Sequence, residues 1–157
     1  MKQDPRNPSE GSTIGTARIL DDPHRRLLGQ LVVCLRSEIP DAVGIYVFGS
    51  WGTAAERGDS DLDLAVLPRQ VLAAARNWNI AQELAGLAGR NVDLVDLRAA
   101  STVMRAQVIA HGERLFCGDE RQCTEFEDMT FSDYARLNEE RAGILEDIQR
   151  RGSIYGR

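Results

Sequence analysis

The sequence predicts an α/β fold, with a small mixed sheet of three to four strands and helices packed against it. Short runs of β-branched and aromatic residues alternate with longer segments in which apolar residues recur at helical spacing. Gly, Pro and Asp separate these segments, as they do at the ends of helices and strands. The chain has 157 residues, of which 43% are apolar, so it suits one domain with a single core.

The first half of the chain predicts one helix and two strands. Asp22 and Pro23 are typical of an N-cap and a first helical residue, and apolar positions follow at helical spacing as far as Ile39. Residues 43–48 form a β-branched and aromatic run, which predicts a strand. Residues 61–67 predict a second strand, because polar and apolar residues alternate at its start.

The next part of the chain continues the alternation of helix and strand. Residues 71–87 predict a helix, and residues 91–97 predict a third strand. Ser101 is a suitable N-cap for a helix that ends at Gly112. Residues 114–117 predict a short edge strand.

The two ends of the chain differ in character. Residues 1–20 are rich in Pro, Gly, Ser and charge without a hydrophobic period, so we expect a flexible leader before a minimal domain at residues 21–157. Residues 128–151 predict a long amphipathic C-terminal helix. Its apolar side chains either dock a partner or, as we expect for Leu137 and Leu145, pack over the protein's own sheet.

Composition excludes several classes of protein. The formal charge is −5 and the charges are mixed along the chain, so direct nucleic-acid binding is not expected. No apolar run approaches the roughly 20 residues that span a bilayer, which predicts a cytoplasmic protein without a membrane segment. The cysteines, Cys34, Cys117 and Cys123, are odd in number and far apart, which argues against structural zinc and a disulfide framework.

The second predicted strand opens with two carboxylates. Side chains two residues apart on a strand point to the same side, so Asp61 and Asp63 stand together while Leu62 and Leu64 face the core. Two carboxylates held this closely repel each other unless a divalent cation lies between them. Magnesium prefers oxygen ligands, so the pair predicts a metal site. The alternative is a pair of solvent-facing acids on an edge strand.

A glycine-serine turn precedes this pair by ten residues. Gly49 allows the backbone to approach a ligand closely, and the hydroxyl of Ser50 can donate to a phosphate oxygen. Together they predict a binding site for the phosphates of a nucleotide. Arg57 lies in the same loop and either contacts phosphate or is a solvated surface residue.

The third predicted strand contains two more acids, Asp93 and Asp96. Alternation along a regular strand puts them on opposite faces, so only one of them can join Asp61 and Asp63.

Residues 46–51 and 59–66 resemble the signature of polymerase-beta-like nucleotidyltransferases, specifically their minimal members, the MNT-type antitoxins. The family motif is Gly-Ser, ten residues, Asp-x-Asp and then a third Asp on a later strand, and here that third position falls on Asp93. Residues 134–156 also resemble the C-terminal helix of these antitoxins. The chain departs from the pattern at Thr53 and Ala54, where many relatives have Arg-Gly, so one triphosphate contact differs.

The resemblance implies a function. Two Mg²⁺ ions would be held by Asp61, Asp63 and Asp93, with ATP as the substrate. MNT-type antitoxins attach AMP from ATP to a tyrosine of HEPN-type toxin ribonucleases, so a HEPN-type toxin is the expected partner. Two alternatives remain open: a nucleotidyltransferase for a small molecule such as an aminoglycoside, and a non-catalytic module that binds a toxin.

Overall fold

The computed structural model describes residues 22–51, 56–57 and 59–151. The predicted leader, residues 1–20, lies outside this range. The elements in chain order are α1 (Pro23–Glu38), β1 (Gly44–Phe48), β2 (Leu62–Leu67), α2 (Ala74–Ala88), β3 (Val92–Asp96), α3 (Thr102–His111), β4 (Glu113–Cys117) and α4 (Glu120–Arg151).

The four strands form one mixed sheet in the order β3-β2-β1-β4. β1 pairs antiparallel with both β2 and β4, whereas β2 and β3 are parallel. The parallel pair requires a crossover, and α2 supplies it. The predicted α/β class, with a small mixed sheet and helices against it, is confirmed.

Helices α1 and α2 cover one face of the sheet. The carboxylate of Asp22 accepts a hydrogen bond from the backbone N–H of His24, and Pro23 occupies the first turn, so α1 begins where the sequence predicts. Buried apolar side chains of both helices form one cluster with the inward residues of the strands: Leu28, Leu31, Leu35, Ile45, Val47, Leu62, Leu64, Ile80, Leu84 and Leu94.

Helices α3 and α4 cover the other face. The hydroxyl of Ser101 accepts a hydrogen bond from the N–H of Met104, which confirms the predicted N-cap of α3. A second buried cluster joins both helices to the sheet: Val43, Tyr46, Ala65, Leu67, Leu97, Val108, Cys123 and Phe126. The sheet is therefore buried between two layers of helices.

The C-terminal helix begins at Glu120, eight residues before the predicted start at residue 128. Asp119 accepts a hydrogen bond from the N–H of Gln122, and Cys123 and Phe126 bury the first turns against the sheet. These turns hold few apolar residues, so periodicity missed them. Within the described residues, no helix is long and apolar enough to span a bilayer.

The distal half of α4 leaves the sheet. The prediction that Leu145 packs over the protein's own sheet is wrong, because Leu145 is 59% exposed and Ile144 is 60% exposed. Leu137 is half-buried. The helix is 32 residues long and is therefore much longer than the strands it crosses, so its last turns extend past the edge of the core.

Two cysteines that are separated in sequence meet in the fold. The Sγ atoms of Cys117 and Cys123 lie 2.9 Å apart, because β4 turns directly into α4. All three cysteines are free. Burial, followed by the hydrogen bond from Cys117, raises the pKa of Cys123 to about 12.

Candidate functional site

The parallel pairing of β2 and β3 brings the predicted acids together. Asp63 is the register partner of Asp93 on β3 and of Phe48 on β1. Asp61 directly precedes β2. The start of β2, the start of β3 and the end of β1 therefore meet at one end of the sheet.

The side of the sheet on which the acids lie follows from the two buried clusters. Asp63 alternates with Leu62 and Leu64, which pack against α1 and α2. It therefore shares its face with Ala65 and Leu67, which pack against α3 and α4. Asp61 and Asp93 are exposed and Asp63 is half-buried, so the three carboxylates form the solvent edge of that face.

The three carboxylates act on one another electrostatically. The pKa of Asp63 is raised above its usual value by burial first, and then by the negative charges of Asp93 and Asp61. Among the residues that the structure describes, none donates a hydrogen bond or forms an ion pair to these three carboxylates. The group thus concentrates negative charge that a cation bound from solution would neutralise.

The chemistry of this group suits a hard divalent cation. Carboxylate oxygen is the ligand that Mg²⁺ prefers, and Mg²⁺ usually takes one or two carboxylates together with water and substrate phosphate. Within the described ranges, no group of three His, Cys, Asp or Glu side chains is placed to hold a metal ion by itself, and this includes Asp61, Asp63 and Asp93. An open carboxylate edge therefore fits magnesium that is shared with a nucleotide better than it fits a structural metal.

Gly49 lies directly against Asp63. Its φ angle is +77°, a left-handed conformation that favours glycine. A Cβ atom added at Gly49 would lie 2.1 Å from Oδ2 of Asp63, so any other residue there would force the carboxylate to move. Ser50 follows and is half-buried. The glycine-serine turn and the acids are thus in contact, because glycine leaves room for the carboxylate.

Arg90, which lies just before β3, contacts the residues that follow this turn. The guanidinium of Arg90 lies 5.1 Å from the ring centroid of Trp51 and forms a 3.2 Å ion pair with Glu56. The side chains of Arg90 and Glu56 are only 19% and 13% exposed. Sequence reasoning did not identify Arg90, because only the fold brings it next to the residues that follow the glycine-serine turn.

Asp96 and Arg57 stand apart from the acids. Asp96 is buried on the opposite face, and its carboxylate accepts hydrogen bonds from the backbone N–H groups of Leu72 (2.8 Å) and Arg98 (2.9 Å). The first of these bonds also explains why α2 begins at Ala74 rather than at residue 71, because the chain there turns to meet β3. Arg57 is exposed in the loop before Asp61.

A cleft of about 380 Å³ opens beside Gly49 on the side of α1. It is lined by His24 and Arg25 from the first turn of α1, by Trp51 and by His111 at the end of α3. The rings of His24 and Trp51 lie 4.9 Å apart. Asp22 and Glu113 also line the cleft, and Glu113 forms an ion pair with Arg25, so the cleft carries charges of both signs beside its aromatic wall.

Residues 32–121 match the family model described as polymerase beta, nucleotidyltransferase. The chain belongs to this family. The matched residues contain the glycine-serine turn, all three acids and the four strands. The predicted family membership and fold are confirmed.

This nucleotidyltransferase is similar to proteins of toxin–antitoxin pairs. It is 39% identical over 119 residues to the protein adenylyltransferase MntA of Shewanella oneidensis, covering 76% of this chain and 85% of that protein. A solved structure of the tri-AMPylated Shewanella oneidensis HEPN toxin with MNT antitoxin matches with a TM-score of 0.69 and 36% identity, over 80% of this chain and 98% of the matched one. A toxin–antitoxin structure with AMP-PNP matches with a TM-score of 0.70 and 38% identity, over 77% and 97%.

Proposed function

We propose that this nucleotidyltransferase is an antitoxin that transfers AMP from ATP to a tyrosine hydroxyl of a HEPN-type toxin ribonuclease. The observation that carries the proposal is the meeting of Asp61, Asp63 and Asp93 with Gly49 at one end of the sheet. The similarity to MntA, and to an antitoxin seen with a tri-AMPylated HEPN toxin, supports AMP as the group transferred and a protein as the acceptor.

The reaction exchanges a phosphoanhydride bond of ATP for a phosphate ester bond to the acceptor. The phenolic oxygen of the acceptor forms a bond to the α-phosphorus of ATP, and the bond from that phosphorus to the bridging oxygen breaks as pyrophosphate leaves. The phenolic proton passes to Asp93, which acts as a general base. Negative charge grows on the leaving oxygens, so the site must stabilise anions although its own side chains are acidic.

Asp61 and Asp63 hold Mg²⁺ in this proposal, and Asp93 completes the ligand set on the acceptor side. Two bound Mg²⁺ ions would supply positive charge for the triphosphate and for the attacking oxygen. The raised pKa of Asp63 fits this role, since the mutual repulsion of the acids is relieved when a cation binds.

The glycine-serine turn binds the phosphates. In this proposal its backbone N–H groups and the Ser50 hydroxyl donate to the β- and γ-phosphates, and Arg57 reaches the same phosphates from the loop that follows. AMP attached beside an RNA-binding site would block RNA by repulsion and bulk, which neutralises the toxin. We place this reaction in the cytoplasm, where ATP and RNA are both available.

The proposal is tested with labelled ATP, magnesium and the HEPN-type protein encoded next to the gene for this chain. We expect label on the partner with the parent protein and none with Asp61→Asn or Asp63→Asn. Asp41→Asn is the matched control, because Asp41 is an exposed acid before β1, at the opposite end of that strand from Gly49. A complex without label would instead support a binding module, and label only on added aminoglycosides would support the small-molecule alternative.

A further inference from the structure

A groove runs along one side of α3 and ends at Gly49. Val103, Gln107 and His111 recur every four residues and therefore form one stripe on the helix. Beside this stripe lies a cavity of about 490 Å³, which Phe48, Gly49 and Met104 also line. A volume of this size is within the usual range for a ligand pocket.

The same stripe borders a second, smaller cavity between α3 and α4. This cavity has a volume of about 190 Å³ and is lined on its far side by Phe131 and Tyr134 of α4. Val103, Gln107 and His111 line both cavities, so the two are parts of one groove that leads from the middle of α4 to the glycine-serine turn.

The groove meets Gly49 on the face of the sheet that carries Asp63. Asp63 lies on the face that α3 and α4 cover, and its carboxylate contacts Gly49 at the end of the groove. A side chain lying in the groove with its tip at Gly49 would therefore point its terminal atoms at Asp63 and its register partner, Asp93.

The groove and the α1 cleft differ in chemistry, and both meet Gly49. The α1 cleft is lined by charged side chains of both signs, among them Arg25 and Glu113, which pair with each other. The groove is lined mainly by apolar and neutral polar side chains, and Met104 and Phe131 are 38% and 46% exposed. A polyanion gains little there, whereas an aromatic side chain on an apolar segment gains burial.

We propose that this groove receives the acceptor segment of the toxin, with its aromatic hydroxyl side chain lying over Met104 and Gln107 and its oxygen directed at Asp93. The proposal rests on the proposed function and specifies its acceptor: a tyrosine in an apolar segment that approaches along α3. The distal half of α4, despite its exposed Ile144 and Leu145, is not needed to deliver the hydroxyl.

The test is the steady-state kinetics of label transfer to the HEPN-type partner by Met104→Glu and Gln107→Glu. We expect the KM for the partner to rise at least about tenfold in each variant, since an acid in the groove opposes an apolar segment. The KM for ATP should stay within about twofold of the parent value. Val33→Glu is the matched control, because Val33 is a 68% exposed helical residue on the opposite face of the sheet.

Two further measurements decide the outcome. A photoreactive residue at position 104 should crosslink to the partner near its modified tyrosine. One at position 78, in place of the exposed Trp78 of α2, should not. This measurement does not depend on whether the Glu variants fold. A rise in the KM for ATP alone would overturn the proposal. The proposal would also be overturned if Ile144→Glu raised the KM for the partner and the groove variants did not. Absence of any transfer by the parent protein would instead refute the proposed function.

Discussion

Two aspartates of β3, Asp93 and Asp96, lie three residues apart and have different surroundings. Asp96 is buried and its carboxylate accepts two backbone hydrogen bonds, whereas Asp93 is exposed and adds to the negative charge around Asp63. The first carboxylate is satisfied by the fold itself. The second belongs to a group of like charges that a bound cation would neutralise, so the surroundings of an acid, rather than its presence, distinguish a structural role from a functional one.

Removing each carboxylate in turn tests this difference most directly. We expect Asp93→Ala to lower the rate of transfer by roughly 10²–10³-fold, the size of effect that removing one charge-stabilising group produces. Its free energy of unfolding should change by less than about 0.5 kcal/mol, because the side chain is exposed. Asp96→Ala should lose about 2–4 kcal/mol of stability, since two N–H groups lose their acceptor. Its folded fraction should transfer AMP at the parent rate, and urea melts with labelled-ATP assays measure both.

Gly49 and Gly89, which both have left-handed backbone conformations, provide a second comparison. Gly49→Ala and Gly89→Ala should each cost about 1–2 kcal/mol of backbone strain. Only at Gly49 does the added Cβ meet Asp63, while at Gly89 it meets nothing within 4 Å. We expect about a 10²-fold loss of transfer for Gly49→Ala alone, since displacing a reacting group by about 1 Å costs that much. Equal activities would show that Gly49 does not position Asp63.

Arg90 tests whether the loop after the glycine-serine turn must be held in place. Arg90→Met removes both the contact with Trp51 and the ion pair with Glu56, so we expect about a tenfold loss of transfer. Arg90→Lys should recover part of it, because the charge is kept. Arg121→Met is the control, because its ion pair with Glu125 is exposed and lies on α4. A similar loss in both Met variants would mean that the effect is not specific to this loop.

The smallest expected effect is on thermal stability. The pKa of Asp63 is raised in the folded state, so the folded protein binds a proton there more tightly than the unfolded chain does. The free energy of unfolding therefore falls as pH rises through the pKa of the folded state, because Asp63 becomes ionised. Asp63→Asn should therefore have the higher melting temperature in chelator at neutral pH. Magnesium at ten times its Kd should stabilise the parent by about 1.4 kcal/mol, or roughly 3–6 °C, and the variant by less. If magnesium raised the melting temperatures of the parent and of Asp63→Asn equally in calorimetry, Asp63 would not be a ligand of the metal.

Much of the fold could be predicted from local signals. The caps at Asp22 and Ser101 fixed two helix starts, and alternation at residues 61–67 separated core leucines from acids. The start of α4 could not be predicted, because its first turns are held by burial against a distant sheet rather than by an apolar repeat. The prediction that Leu145 packs over the sheet was wrong for the opposite reason, since an apolar repeat does not reveal where the sheet ends.

The sequence by itself determined the residue types of the site and the spacing of Gly49-Ser50 from Asp61 and Asp63, because alternation and turn chemistry act over a few residues. Only the tertiary structure decided that Asp93 lies opposite Asp63, and that Arg90 reaches the loop after the turn. Both depend on the parallel register of β2 and β3. Register is set by packing between segments remote in the chain, so no local pattern encodes it.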